Sequence, residues 1–189
     1  NNDESQALRA LYATITCHEG SDRLAVKDQG AYCATLRERL AHYRKTFKNV
    51  AGPWINKRRP AGLPETVFYP FSGADLVTSV LAFPDARVHV HLSLEHGGPV
   101  DSLAELSPEK RGAALRSLAR PSRGLLRLGD SKTKDLRLAH LTRLPGKLPI
   151  ALVGLAVFEA EVVSVRYFRM NKDGTLHYFL PDEMLNRRT

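Results

Sequence analysis

The chain has 189 residues, of which 43% are hydrophobic and 25% charged, with a formal net charge of +8 at pH 7. That composition excludes global disorder, and the length suits one domain with a core of its own. The longest apolar run, "LPIALVGLAVF" at 148–158, falls short of the roughly 18 residues that a membrane-spanning helix needs.

Residues 3–16 predict an amphipathic helix, with Leu8, Leu11, Tyr12 and Ile15 on one stripe. A second helix is expected at about 30–49, where Tyr32, Leu36, Leu40, Tyr43 and Phe47 form one apolar face. Glycine and proline mark 49–64 as a loop, with Trp54 anchoring it on the core. "TVFY" at 66–69 reads as a strand. Ser72 then caps a helix over 73–83, with Asp75 three residues on as in a capping box, and Pro84 ends it. Residues 87–95 alternate strictly. Val88, Val90, Leu92 and Leu94 share one face, and Arg87, His89, His91, Ser93 and Glu95 the other.

Three helices follow, at 106–118, 130–144 and 148–160, the first opened by Ser107 and Pro108 and the last apolar on most faces. Strands at 161–170 and 175–180 flank the turn "NKDG", where Gly174 is free to take a positive φ. Helices between strands imply an α/β domain with a mostly parallel, Rossmann-like sheet. Its parts are a helical N-terminal layer over 1–50, a βαβ unit at 66–95 and a C-terminal antiparallel hairpin, making one domain over 1–189 with its core at 66–180.

The turn "YPFSGAD" lies between a strand end and a helix start. Small residues there let a polar or anionic group approach backbone N–H groups. Ser72, Gly73, Ala74 and Asp75, with Glu95 at the end of the next strand, are the candidate ligand-binding residues. The plain alternative is a structural turn, since one glycine stands where a dinucleotide fingerprint has three. His89 and His91 could reach one metal ion, but no third ligand follows at a fitting spacing, so neither a metal nor a cofactor is expected.

Charge is uneven. Residues 110–147 hold eleven Lys and Arg against two acids, Asp130 and Asp135. Arg116, Arg120, Arg123, Arg127, Lys132 and Lys134 would form a surface for an anionic polymer, or else a solvated helical face. Cys17 and Cys33 bracket a polar, glycine-bearing segment that suits a stapled loop, with two buried thiols as the alternative.

"FYPFSGAD…LAFPDA…LSLE" and "LPGKLPIALVGLAVFEAEVVSVRYFRMNKDGTL" resemble a family of uncharacterised bacterial proteins, exported or lipoprotein-like, marked by "YPFSGPD…FFP.A…GLEP.G". The resemblance spans roughly 33–180. It is carried by Tyr69, Pro70, Phe71, Ser72, Gly73, Asp75, Phe83, Pro84, Leu94, Glu95, Gly98, Leu148 and Pro149. Ala74 stands where the family has proline, and His89 and His91 where it is aromatic or aliphatic. The resemblance implies a periplasmic or secreted protein and supplies no activity. With export, a Cys17–Cys33 disulfide is the expectation. The leading functional expectation is a non-catalytic domain that binds a small polar ligand or a protein through the 70–75 turn and Glu95. One alternative is a transferase-like enzyme with a nucleotide-type cofactor in the same crevice, and another is the anionic-polymer surface.

Overall fold

The computed structural model describes residues 2–18, 24–70, 76–92, 97, 103, 106–128 and 147–179. In chain order these form α1 (Asn2–Thr16), α2 (Gln29–Tyr43), a π-helical turn (Arg44–Lys48), α3 (Asn49–Arg58), β1 (Thr66–Tyr69), α4 (Leu76–Ala82), β2 (Val88–His91), α5 (Pro108–Leu128), α6 (Leu148–Ala156), β3 (Phe168–Met170) and β4 (Leu176–Tyr178). The predicted helix at 130–144 lies outside the described residues.

Helices dominate, and the expected mostly parallel sheet is not what forms. β1 and β2 make a two-stranded parallel pair, in register Thr66↔Val88 through Tyr69↔His91. β3 and β4 make a separate antiparallel hairpin. The reason lies in where apolar area goes. The core is built from α1, α2, α4, α5 and α6, while β1 adds Val67 and the other strands add no fully buried residue. A strand also needs a neighbour to hydrogen-bond, and among the described residues 161–166 pairs with no strand, so the predicted ten-residue strand shrinks to three.

Residues 49–58, expected as loop, continue the helix. Proline removes one backbone donor from a helix, yet α3 runs on through Pro53 directly after the π turn at Arg44–Lys48. Gly52 is what brings α3 against α4, because a Cβ there would lie 3.3 Å from Leu81 Cδ1. Trp54 then points outward. It is 59% exposed, with the Arg58 guanidinium 4.2 Å from its ring centroid, and does not anchor the segment to the core. α5 likewise outruns its prediction, passing through Pro121 to Leu128, with Ser122, Leu125 and Leu126 buried on its inner side.

α1 turns at Cys17, which takes a left-handed φ of 59° and bonds to Cys33 on α2 across a Cα–Cα distance of 5.4 Å. Around this junction the Tyr32 hydroxyl donates to the Ile15 carbonyl (2.7 Å) and Arg37 to the Cys17 carbonyl (3.3 Å). Other cations are spent in the same way. Arg39 donates to Ala119 O and Arg111 to Leu103 O and Ala25 O, while Arg44 reaches Val157 O and Ala156 O at the end of α6. Four of the chain's 28 Lys and Arg, Arg37, Arg39, Arg44 and Arg111, therefore serve as staples on backbone carbonyls.

Candidate functional site

A parallel pair with a crossover helix has two unlike ends, and ligands of open α/β sheets gather at the carboxyl ends of the strands. That end is marked here by Tyr69 on β1 and His91 on β2, with ring centroids 5.7 Å apart. Ser72, Gly73, Ala74, Asp75 and Glu95 follow these two residues in sequence and lie outside the described residues.

The alternation in β2 separates two faces correctly, but the polar one turns inward. Val67 and Tyr69 share a face with His89 and His91, beneath α4. Phe68, Val88 and Leu92 look outward at 68%, 48% and 51% exposure. Ser79, fully buried on α4, shares a 2.9 Å hydrogen bond with His89 Nδ1, which draws the histidine side in and leaves Val88 out, while Val90 is half-buried. The two side chains are thus within hydrogen-bond reach, as a nucleophile and its base would be.

His91 is the anomaly. Its ring stacks on His89 at 6.3 Å, and among the described residues both of its nitrogens are buried without a hydrogen-bond partner. Such a group costs about 1–3 kcal/mol. Among the described residues Gln29 Nε2 and the Tyr43 hydroxyl are orphaned too. Gln29 is the half-buried first residue of α2 and Tyr43 lies in the helical core, whereas His91 stands at the carboxyl edge of the sheet.

Burial, and then the neighbouring His89, pull the His91 pKa below the ordinary 6.5. A lowered histidine pKa means the unfolded chain takes up the proton first. The stability this group carries is therefore complete above about pH 6.5 and is lost as pH falls through the folded value. The melting temperature should drop as pH is lowered from 7 to 5, and His91→Leu should make that drop shallower. Parallel slopes in the two proteins would show that His91 is solvated.

The described histidines bring no third ligand with them. Among the described residues no group of three or more His, Cys, Asp or Glu is placed to hold a metal ion. Hollows among the described residues lie elsewhere. One, of about 380 Å³, sits at the opposite, amino end of β1 and β2 beside Arg59, Leu63, Phe83 and Asp85. Its charges satisfy each other, with Arg59 Nη2 2.9 Å from Asp85 Oδ2. Another, of about 330 Å³, lies between α2 and α5 and includes Arg39, His42 and Arg123.

The residues named for the basic face fall only in part among the described ones. Of the residues named for it, Arg116 pairs with Asp28 at 3.5 Å and Arg123 is exposed. The side chains of Arg120 and Arg127, and residues Lys132 and Lys134, lie outside the described residues. Within the same window Arg111 is held by two carbonyls and Lys147 is buried at 7% exposure. Sequence reasoning counted these charges without seeing that several are already engaged. It also missed Arg44, for which the only signal was a cation one turn before a break in the apolar stripe.

Comparison with protein-family models, with curated proteins and with solved structures finds no match for this chain.

Proposed function

We propose that this chain is an exported bacterial, non-catalytic binding domain that takes a small polar ligand at the carboxyl edge of β1 and β2. Ser72, Gly73, Ala74, Asp75 and Glu95 flank that edge in sequence, and His91 offers an imidazole to the ligand. The observation that carries the reading is the orphaned His91 ring at this edge. A neutral imidazole gives one donor and one acceptor, which suits a hydroxyl, amide or carboxyl group. The Cys17–Cys33 disulfide is compatible with a periplasmic or secreted location. Among the described residues no helix is long and apolar enough to cross a membrane.

Native mass spectrometry of gently purified protein tests the reading. The expected result is a population heavier than the bare chain by one small molecule, reduced in Glu95→Gln and absent in His91→Leu. A bare mass alone in the wild-type protein, or an adduct equally abundant in His91→Leu, would overturn it.

A further inference from the structure

The hairpin carries a surface that the ligand edge does not use. Phe168 pairs with Tyr178 and Met170 with Leu176, so the four side chains share one face. They are 52%, 49%, 70% and 45% exposed in that order, and the two aromatic rings stand 5.6 Å apart. Four large apolar groups on one small face are more than scattered exposure, and such a patch marks a contact surface. Among the described residues neither strand has a second neighbour, so each presents an open edge of backbone donors and acceptors.

The surrounding charge says what kind of chain fits. Arg166, Arg169 and Lys172 are exposed and make no ion pair among the described residues. The acid in the turn, Asp173, is already occupied, accepting from the Thr175 hydroxyl at 2.7 Å and from its N–H at 3.0 Å. A second copy would set these three cations against their own kind, on a chain whose net charge is already +8.

We infer that the β3–β4 hairpin docks an extended segment of a partner protein in which apolar and acidic residues alternate. The segment adds along a strand edge by main-chain hydrogen bonds and lays its apolar side chains on Phe168, Met170, Leu176 and Tyr178. Its carboxylates, on the other face, meet Arg169 and, at the turn, Lys172.

The probe is a random dodecapeptide library displayed on phage, panned against the whole disulfide-intact chain. Enriched peptides are then synthesised and their binding read by fluorescence anisotropy. Peptides pairing apolar with acidic residues are expected. Their affinity should fall at least tenfold in the Phe168→Ser/Met170→Ser variant and at least tenfold in the Arg169→Glu/Lys172→Glu variant. Binding to His91→Leu should equal binding to the wild-type chain. Because all four altered positions are solvent-exposed, the variants should keep the wild-type melting temperature, which confirms that they are folded. Peptides without acidic residues, peptides indifferent to both variants, or no enrichment at all would overturn the inference. So would a wild-type dimer in sedimentation that dissociates on Met170→Ser, since a second copy would then cover the face.

Discussion

Replacing Cys17 and Cys33 together with alanine is expected to lower stability by about 3 kcal/mol, the loop-closure entropy returned to an unfolded chain freed of a cross-link of this span. The two residues are 16 apart and both are 3% exposed. For a chain of this length the loss corresponds to roughly 6–12 °C in melting temperature. Urea unfolding of the two proteins under non-reducing conditions measures it. Helical content should survive, because Tyr32 to Ile15 O and Arg37 to Cys17 O still join α1 to α2. Reduction of the native protein should also be slow, since a reductant reaches two buried sulfurs only after local opening. Unfolding midpoints that coincide would show that the cross-link constrains nothing.

Arg44→Met is expected to cost about 2–4 kcal/mol, although it changes one side chain in a π turn far from any proposed ligand. Arg44 Nε donates to Val157 O at 3.1 Å and Nη2 to Ala156 O at 2.7 Å, at the carbonyl end of α6. Both residues are buried, and methionine would keep the apolar stem but remove the two charged donors, leaving Val157 O to Lys48 Nζ at 3.4 Å and Ala156 O to the Glu159 N–H at 3.3 Å. Arg44→Lys should recover part of the loss, because an ammonium supplies charge without the planar fork. Glu159→Gln should cost little, as that ion pair is 3.3 Å long with its carboxylate 75% exposed. Denaturant unfolding of the three variants distinguishes these cases. Equal losses in Arg44→Met and Glu159→Gln would assign the effect to the ion pair and refute the capping role.

What the sequence made legible was local. β1 falls where "TVFY" predicts it, and α1 buries Leu11, Tyr12 and Ile15 from its stripe as predicted. Ser107 Oγ accepts from Lys110 N–H at 3.4 Å at the head of α5, as its position before Pro108 implies. Gly174 takes a φ of 84° in the hairpin turn. What stayed hidden depended on distant partners. Gly52 and Pro53 spell a loop until Leu81 on α4 gives the glycine a packing role. Strict alternation in β2 defines two faces without saying which is buried, and Ser79 decides it. The histidine pair was visible as a pair, yet the want of a partner for His91 is a property of the tertiary structure alone.

The proposed function keeps His91 buried at the sheet edge for a ligand, without a partner among the described residues and at a cost to the empty protein. A histidine kept for structure would be satisfied by its surroundings, whereas one kept for binding leaves the fold less stable than it need be. Urea unfolding of the wild-type protein and of His91→Leu at pH 7.5, both freed of bound molecules by refolding, compares the two directly. Leucine removes the orphaned nitrogens at similar bulk, so the account predicts a variant more stable by about 1 kcal/mol or more. A variant less stable than the wild-type protein would contradict it, because His91 would then be a satisfied part of the fold.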